Sequence, residues 1–412
     1  MSKSLSDMSF FDPEVIECPF EFYAAARREA PVYRLPGTDI FFISRYDDVR
    51  KVLKKTEVFS NNFGEQLNVA PKNPEAAAIY ASGWAPADTL LTLDPPRHKV
   101  YRSLLNKVFS NKRVDGMHDY VLEIVTGLID SWIDDGEVDL MQRFCMPLPM
   151  WVIADQLGVP RGDMDLFKKW SDAFASRLGG FASPEQEVED AKLIVQFQHY
   201  FIAVVERRRE DPQDNIISDL AHARIDEGRL LTQEELLSIL QQLLVAGNET
   251  TTSALAGGVL HLIDNPGQFQ RLQADPSLIP NAVEEILRME TPSCGLWRVV
   301  KEDAEVHGVQ IPGGSMLMVR FASANRDETV FEDPEHFDIC RRNAEDNLAF
   351  GQGVHFCLGA QLARKEMNVA FTELLRRTTN WRLTPGRNNR RHWPNLILRG
   401  LQQLHIGFDR RD

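Results

Sequence analysis

Apolar residues recur along most of this chain with the 3.6-residue period of α-helices, and only short segments alternate as strands do. The helical pattern is found over residues 19–30, 47–55, 117–135, 139–158, 163–177 and 358–377. Strand patterns are found over residues 32–33, 40–43, 297–300, 306–307, 309–311 and 316–321, and residues 396–398 and 404–408 predict a closing hairpin. The sequence therefore predicts a mainly α-helical protein with small β-sheets, of the α+β class.

The longest predicted helix has clear signals at both ends. Thr232 and Glu235 form a capping box, and Asn265-Pro266-Gly267 stops the helix about 32 residues later, roughly 48 Å at 1.5 Å per residue. Its first half is apolar nearly all round, so we expect it to be buried. Gly247, Glu249 and Thr250 interrupt that pattern. Because a buried acid without a partner is costly, they predict a functional site.

A second interruption lies at residues 350–359, the cysteine loop. Gly351 and Gly353 permit a tight irregular turn, Cys357 ends it, and a helix follows at once. Unsatisfied N–H groups and the positive end of the helix dipole favour the thiolate of a cysteine placed there. The loop therefore predicts a metal-bound sulfur.

The chain has 412 residues without a linker, repeat or low-complexity segment, so we expect one domain over residues 1–412. A formal net charge of −14 argues against nucleic acid or an anionic membrane as the main partner. There is no signal peptide and no apolar run long enough to span a bilayer. We expect a cytoplasmic protein without a membrane anchor.

The five cysteines are scattered and include no CxxC pair, which disfavours a disulfide framework and a zinc site. A lone cysteine ligand fits haem iron better than zinc or an iron–sulfur cluster. Elsewhere, His98 and Arg102 share a helix face, as do Glu285 and Arg288. Taken alone, these pairs are most simply a solvated basic face and a surface salt bridge.

Four motifs together resemble the bacterial, soluble cytochrome P450 monooxygenases over nearly the whole chain. The cysteine motif F-x-x-G-x-x-x-C-x-G is present at Phe350, Gly353, Cys357 and Gly359. The motif A-G-x-[DE]-T-T is present at Ala246, Gly247, Glu249, Thr250 and Thr251. The motif E-x-x-R is present at Glu285 and Arg288. The basic helix that this family lays along the haem edge matches Asp94, Pro95, Pro96, His98 and Arg102. The resemblance implies the cytochrome P450 fold, with haem b between the long central helix and the helix after the cysteine loop.

The resemblance also implies a role for each matching residue. Cys357 is expected to be the proximal thiolate ligand of the haem iron, shielded by Phe350. The amides that follow it, with Gly359 allowing close approach, are expected to tune the thiolate through hydrogen bonds. Cationic residues are expected to hold the two propionates, namely His98, Arg102, Arg298 and His355. This implication replaces the solvated face as our interpretation of His98 and Arg102.

On the distal side, Thr250 is expected over the iron, and Glu249 and Thr250 to supply protons for the activation of O₂. Ala246 is expected to contact the haem, and Gly247 to let the helix open locally and leave room for O₂. Glu285 and Arg288, with Arg341, are expected to be a structural brace of the cysteine loop.

The residues expected around a small hydrophobic substrate are mostly apolar, with Gln242 as a polar anchor. They are Tyr80, Trp84, Phe174, Leu178, Phe181, Gln242, Leu243, Ala246, Cys294, Gly295, Leu296, Ile397 and Leu398. Residues 61–90 are expected to form a long loop on this pocket. Individually, each of these aromatic and aliphatic residues is more often plain core.

The implied activity is hydroxylation of a terpenoid, steroid, fatty acid or aromatic compound with O₂. Two electrons must come from an external donor, a 2Fe–2S ferredoxin with its reductase or a flavodoxin-type protein, and we expect a monomer. Basic residues are expected to form the docking face for that donor, namely Lys99, Lys107, Lys112, Arg113, Arg342, Arg364 and Lys365. The alternatives are a peroxide-driven haem-thiolate enzyme and a non-catalytic haem-binding carrier or sensor; the pair Glu249–Thr250 argues against both.

Overall fold

The computed structural model describes residues 3–64, 71–106, 108–179 and 182–411. By its internal contacts the chain divides into two compact units. Unit 1 comprises residues 1–60, 114–149 and 250–412, and unit 2 comprises residues 61–113 and 150–249. The single domain over 1–412 stays a prediction. The mainly helical architecture with small sheets agrees with the hydrophobic pattern.

Unit 1 combines helices with a five-stranded and a three-stranded sheet. Its α-helices are Pro13–Glu17, Phe20–Glu29, Tyr46–Lys54, His118–Asp130, Pro266–Ala274, Ile279–Glu290, Phe321–Ala324 and Ala360–Arg377. The larger sheet has the strand order Val32–Arg34, Ile40–Ile43, Met316–Val319, Leu296–Val300, Phe59–Ser60. The smaller sheet has the order Thr378–Leu383, His405–Arg410, Glu137–Asp139, and a two-stranded ladder joins Ala304–Val306 to Val309–Ile311.

The larger sheet is mixed. The strand Met316–Val319 runs parallel to Ile40–Ile43 and antiparallel to Leu296–Val300. Aliphatic and aromatic side chains from these strands and from Tyr46–Lys54 form one core cluster, which includes Val49, Val52, Phe59, Val300 and Leu317. Phe41 and Leu317 pack into this cluster, whereas Phe42 and Met318 pack into a second one, so both faces of these two strands are buried.

Unit 2 is almost entirely helical. Its α-helices are Pro74–Tyr80, Arg97–Asn106, Met164–Gly179, Pro184–Glu210 and Ile216–His222, and a two-stranded ladder joins Arg224–Ile225 to Arg229–Leu230. An aromatic cluster packs Met164–Gly179 on Pro184–Glu210, with Phe197 4.6 Å from Phe201 between ring centroids and Trp170 5.7 Å from Phe197. Such contacts stabilise beyond the buried area alone.

Three helices contain a unit boundary in their sequence: Asn111–Asp115, Pro147–Leu157 and the central helix Gln233–Asp264. The predicted capping box of the central helix is confirmed. Thr232 N–H donates to Glu235 Oε2 at 2.8 Å, and Glu235 N–H donates to Thr232 Oγ1 at 3.2 Å. Both ends of this helix could therefore be predicted from local chemistry. Within the described part of the chain, we find no helix with the length and apolarity needed to cross a bilayer.

Two predicted elements were wrong. Residues 139–158 are not one helix, because residues 137–139 pair with His405–Arg410 and a π-helix, Met141–Cys145, precedes Pro147–Leu157. The closing hairpin does not form either. The Asn395 side chain accepts the N–H groups of Ile397 and Leu398 in an Asx-type turn, so these two groups cannot donate to a neighbouring strand. The strand His405–Arg410 pairs instead with Thr378–Leu383 and Glu137–Asp139.

The loop expected over residues 61–90 contains a helix, Pro74–Tyr80. Asn73 caps it, since its side chain accepts the N–H of Glu75 at 2.9 Å, and Pro74 occupies the first turn. This Asn-Pro signal is visible in the sequence, so the helix could have been predicted.

Candidate active site

The cysteine loop is held by its own backbone. The N–H of Cys357 donates to the carbonyl of Phe350 at 2.9 Å and closes the turn. Gly351 and Gly353 have φ of 66° and 78°, a left-handed conformation that favours glycine. A Cβ on Gly353 would also come within 2.8 Å of the carbonyl oxygen of Leu53. The two glycines are therefore needed to present the half-buried Cys357.

The helix Ala360–Arg377 begins three residues after Cys357, with Gly359 at its N-cap. The first-turn N–H groups and the helix dipole lie on the cysteine side, which favours the thiolate. At Gly359 the φ is −85°, and an added Cβ would meet no described protein atom within 4 Å. Protein packing does not require glycine at this position. The open space there leaves room for a flat group beside the thiolate.

The donor set at the loop also fits haem. No group of three or more His, Cys, Asp or Glu side chains able to hold a metal ion is found among residues 3–64, 71–106, 108–179 and 182–411. The metal donor that the loop provides is therefore one cysteine, Cys357, at the start of a helix. One thiolate donor matches a haem-thiolate site, whereas a tetrahedral zinc site needs three or four protein ligands.

Two of the predicted propionate ligands lie in unit 1. Arg298 is only 1% exposed, in the middle of the strand Leu296–Val300, and its Nη1 donates to the carbonyl of Trp297 at 2.7 Å. His355 is half-buried within the cysteine loop. A guanidinium buried to this degree is suited to a carboxylate partner, because its charge is otherwise expensive to desolvate.

The predicted brace is a buried ion-pair cluster. Arg288 and Glu285 are both 0% exposed, and two hydrogen bonds of 2.7 and 2.8 Å join them. Arg341 donates to both oxygens of Glu285 at 3.1 Å. Arg288 also donates to the carbonyls of Asn325 and Pro334 at 2.8 Å. The cluster fixes the segment that leads to the cysteine loop, and the surface salt bridge considered for Glu285–Arg288 is excluded by their burial.

The other two predicted propionate ligands lie in unit 2. His98 is 3% exposed, and its pKa is lowered first by burial and then by the charge of Arg102, while Asp94 opposes the shift. Asp94 precedes the helix Arg97–Asn106, with two prolines between them. Its carbonyl accepts the His98 N–H at 2.9 Å, whereas its carboxylate accepts the N–H of Asn61 at 2.8 Å. His98 is therefore buried, whereas Arg102 is half-buried.

The central helix presents small residues at the predicted distal motif. Ala246 is exposed, whereas residues 243–245 before it are buried. The helix is continuous from Gln233 to Asp264, so the local opening expected at Gly247 is not seen. Glycine is favoured there for another reason, since a Cβ would lie 3.1 Å from the Ile153 side chain. This contact was invisible in the sequence because it joins residues far apart in the chain.

Glu249 has partners that the sequence did not reveal. Its Oε1 accepts a hydrogen bond from the Ser171 hydroxyl at 2.8 Å and from Nδ2 of Asn248 at 3.2 Å. The pKa of Glu249 is raised by burial, with Lys168 acting against the shift and Asp172 adding to it. Lys168 and Asp172 form an ion pair beside it. A carboxyl whose pKa is raised by burial keeps its proton to a higher pH than an exposed carboxyl does, which suits a group that exchanges protons.

Gln242 has hydrogen-bond partners within unit 2. Its Oε1 accepts the Leu91 N–H at 3.2 Å, and its Nε2 donates to Thr89 Oγ1 at 2.8 Å. A partly buried amide satisfies its own hydrogen bonds within the protein in this way. The amide therefore holds residues 89–91, and its contact with a substrate hydroxyl or ketone stays a prediction for the second N–H of Nε2.

The other residues of unit 2 that were predicted to line the substrate pocket differ in their contacts and burial. Tyr80 lies beneath the Arg177 guanidinium, 4.7 Å from its ring centroid. Trp84 donates from Nε1 to Gln233 Oε1 at 2.9 Å. Phe174 is buried in the aromatic cluster. Leu178 is half-buried, and Leu243 is buried. Phe181 lies outside the described residues. Phe174 is thus part of the hydrophobic core, which is the commoner role of such a residue.

In unit 1 the five predicted pocket residues lie in two segments, 294–296 and 397–398, which the backbone joins. The N–H of Cys294 donates to the Ile397 carbonyl at 2.7 Å, and Ser293 bridges to Leu398. A Cβ on Gly295 would overlap the carbonyl oxygen of Val319, so only glycine fits. Leu296 packs on the core of the larger sheet. Backbone pairing, not the failed hairpin, places Ile397 and Leu398 beside Cys294.

Two of the predicted docking cations have acidic partners in their own unit. Arg364 pairs with Glu284 at 2.5 Å, and Lys365 lies 3.4 Å from Asp115. Lys112 and Arg342 are exposed, and Lys107 lies outside the described residues. Partly neutralised cations contribute less to steering a charged partner.

Comparison with known proteins gives consistent matches. The family profile Cytochrome P450 matches residues 181–392. The chain is 34% identical to the cytochrome P450 monooxygenase PikC of Streptomyces venezuelae, over 99% of this chain and 95% of that protein. It is 35% identical to the vitamin D(3) 25-hydroxylase of Pseudonocardia autotrophica, over 94% of this chain and 93% of that protein. The crystal structure of CYP109E1 from Bacillus megaterium in complex with testosterone superposes with a TM-score of 0.82 at 32% identity, covering 96% of this chain and 98% of that one.

Proposed function

We propose that this chain, which belongs to the cytochrome P450 family of monooxygenases, hydroxylates an apolar molecule of steroid size. The predicted family, fold and enzyme class are confirmed by the comparisons. The observation that carries the chemistry is the cysteine loop, a single thiolate at a helix start with open space above Gly359.

We assign the cofactor as haem b. The family uses a haem-thiolate group, and the sequence has no CxxCH motif for covalent attachment. When bound, haem supplies the iron at which O₂ is activated. Cys357 would ligate the iron. Arg298, His355, His98 and Arg102 would hold the propionates, because each charged donor strengthens a carboxylate hydrogen bond.

The distal protons would pass through Glu249 and Thr250. Burial raises the pKa of the Glu249 carboxyl, while the Ser171 hydroxyl donates to its Oε1 and stabilises the charged form. The two opposing effects suit a group that both holds and gives up a proton. Thr250 follows it directly in the central helix, and its hydroxyl would relay that proton toward the reacting oxygen.

The substrate class rests on the relatives and on the composition of the wall. One relative is named as a hydroxylase of vitamin D(3), and another was solved with testosterone. The residues that the family resemblance implies for the substrate, among them Leu243, Ala246, Leu296 and Ile397, are mostly apolar. With Gln242 already engaged, binding would depend mainly on burial of apolar surface and less on a polar anchor.

The electrons would come from a small acidic protein, a 2Fe–2S ferredoxin or a flavodoxin-type donor. The exposed cations Lys112 and Arg342 support this proposal, because they would attract an acidic donor. Neutralising these two should slow electron transfer and flatten its dependence on salt. Arg364→Gln is the matched control, because its charge is already paired with Glu284.

The proposal is tested by turnover. Purified holoprotein with O₂, NADPH, a ferredoxin and its reductase should hydroxylate steroids that shift the Soret band on binding. In Thr250→Ala, oxygen consumption should continue while hydroxylation falls roughly tenfold or more. Binding without turnover would indicate a carrier or sensor instead, and turnover supported by peroxide alone would indicate a peroxide-driven enzyme.

A further inference from the structure

The carboxyl of Glu249 belongs to a triangle of polar side chains within unit 2. Asn248 is 1% exposed and Ser171 is 0% exposed, and both contact the same carboxyl oxygen. Nδ2 of Asn248 lies 3.2 Å from Oε1 of Glu249 and 3.3 Å from Oγ of Ser171, and that Oγ lies 2.8 Å from Oε1. Asn248 occupies the variable position of the distal motif, so the motif assigns it no role.

The direction of each hydrogen bond in the triangle follows from what the groups can donate. An ionised carboxylate only accepts, and Ser171 has a single hydroxyl proton. Because the Asn248 amide donates to Oγ of Ser171, the hydroxyl proton points away from that amide and toward Oε1 of Glu249. Without the amide, the serine hydroxyl could turn to a carbonyl of its own helix, as serines in helices do.

The side chain of Asn248 also suits the protonated form of Glu249. An amide carries a donor and an acceptor, and a half-turn about its last bond exchanges them. With Glu249 ionised, Nδ2 faces the carboxylate, as the structure shows. With Glu249 protonated, Oδ1 can accept the new carboxyl proton. A side chain that only donates or only accepts would leave one of the two forms with an unpaired buried group, which is costly.

The charged side chains that act on Glu249 from the helix Met164–Gly179 are Lys168 and Asp172. They form an ion pair with each other, and their side chains are 25% and 55% exposed. Their effects on the carboxyl have opposite signs, since Lys168 favours its charged form and Asp172 disfavours it. The contacts at hydrogen-bond distance are left to Ser171 and Asn248.

We propose that Asn248 is a positioning residue for the proton exchange of Glu249. Its amide directs the Ser171 hydroxyl toward the ionised carboxylate, and it turns to accept from the protonated carboxyl. The proton comes from solvent, forms one O–H bond at the carboxyl, and leaves when that bond breaks; Asn248 and Ser171 keep their own protons. The inference rests on the proposed function, in which Glu249 exchanges the distal proton.

Infrared difference spectroscopy of the ferric holoprotein follows the protonation of Glu249 without turnover. The C=O stretch of the protonated carboxyl is assigned by its absence from Glu249→Gln, and its intensity is followed against pH. In Asn248→Leu the midpoint should move to a proton concentration about tenfold lower, because the charged form loses a hydrogen-bond donor. An unchanged midpoint in Asn248→Leu would overturn the proposal.

Ser238→Ala is the control for this titration. Ser238 is a buried serine on the same central helix, and its hydroxyl accepts the N–H of Ala87 at 2.9 Å. This variant should keep the wild-type midpoint. A midpoint that moves as far in Ser238→Ala as in Asn248→Leu would mean that any loss of a polar side chain from this helix has the effect, and would overturn the assignment to Asn248.

A double variant tests whether Asn248 acts through Ser171. In Asn248→Leu the serine hydroxyl is no longer directed, so adding Ser171→Ala should move the midpoint less than Ser171→Ala does in the wild type. Additive shifts would make Asn248 an independent donor and overturn its positioning role. If Asn248→Leu does not fold, Asn248→Ala carries the same two expectations.

The turn of the amide has its own signature. With isotope-labelled asparagine, the amide C=O band that Asn248→Leu lacks should shift as Glu249 gains its proton, because the amide oxygen then becomes its acceptor. A band that stays constant through the titration would overturn this part of the proposal. Unimpaired coupling of O₂ use to hydroxylation in Glu249→Gln would instead contradict the proposed function and leave the infrared shifts intact, so the two failures are distinguishable.

Discussion

The hydroxyl of Ser171 donates a hydrogen bond to Oε1 of Glu249 at 2.8 Å, and this contact joins the helix Met164–Gly179 to the central helix within unit 2. Burial raises the pKa of Glu249, and a hydrogen bond to its charged form acts in the opposite direction. Ser171 therefore adjusts the pKa of the acid that we propose as the proton donor. No feature near Ser171 in the sequence indicated this role.

Ser171→Ala should raise the pKa of Glu249 further, because the charged carboxylate loses a donor. If ionised Glu249 must accept a proton in each cycle, the acidic limb of the pH–rate profile for coupled hydroxylation moves to higher pH. Ser176→Ala is the control, since that serine lies on the same helix and bonds to Asp190. An unchanged acidic limb in Ser171→Ala, with the fold intact, would show that Glu249 does not take part in proton transfer.

Glu366→Gln should remove part of the dependence of stability on pH. Glu366 is 2% exposed, and burial raises its pKa well above the usual range. A raised folded-state pKa contributes stability that is complete below the unfolded value and is lost as pH rises through the folded value. The free energy of unfolding of the variant should fall less than that of the wild type as pH rises above the unfolded value of about 4.3.

Glu373→Gln serves as the control for that measurement. Glu373 lies on the same helix but pairs with Arg376 at 2.6 Å, so it lacks the uncompensated burial of Glu366. Urea unfolding across the pH range should show the wild-type slope for Glu373→Gln. Identical slopes in all three proteins would mean that the pKa of Glu366 is the same in the folded and unfolded states.

Two alanine substitutions in the cysteine loop separate packing from cofactor binding. Gly353→Ala should lower the stability of apoprotein and holoprotein by about 1–3 kcal/mol, because φ is 78° and the Cβ would crowd Leu53. Gly359→Ala should leave the apoprotein unchanged, since nothing described lies within 4 Å of that Cβ, yet speed haem dissociation. The melting temperature of the apoprotein measures the change in stability, and the rate of haem transfer to apomyoglobin measures haem dissociation. Equal effects of the two on the apoprotein would contradict the open space at Gly359.

Arg288→Met should destabilise the protein by about 3–5 kcal/mol, because it leaves Glu285 buried beside fewer donors. Arg376→Met is a matched control with the same i,i+3 spacing to its glutamate, and its side chain is 62% exposed. That change should cost less than about 1 kcal/mol. Urea midpoints of the two variants give the comparison, and similar losses would show that burial is not what makes the brace strong.

Local chemistry predicted much of the fold. The central helix was predictable because a capping box and an Asn-Pro-Gly stop act within a few residues. The helix Pro74–Tyr80 was missed although Asn73 and Pro74 signalled it. The pairing of His405–Arg410 could not be predicted, since a two-residue period selects a strand's inward face without naming its partner.

The candidate site was predicted unevenly for a similar reason. The cysteine loop and the E-x-x-R pair lie in short motifs, so their residues are visible in the sequence. The hydrogen bond from Gln242 to Thr89 and that from Ser171 to Glu249 join residues 78 or more positions apart. Contacts of this range depend on helix packing, which a single sequence does not specify.

The central claim is that Cys357 holds haem iron through its thiolate. The difference spectrum of the reduced protein with carbon monoxide tests it most directly, with Cys294→Ser as the control because that thiol is buried and lies outside the cysteine loop. We predict the thiolate-type band for the wild type and for Cys294→Ser, and its loss in Cys357→His with haem still bound. A thiolate-type band that persists in Cys357→His, or that is absent from the wild type, would contradict the account.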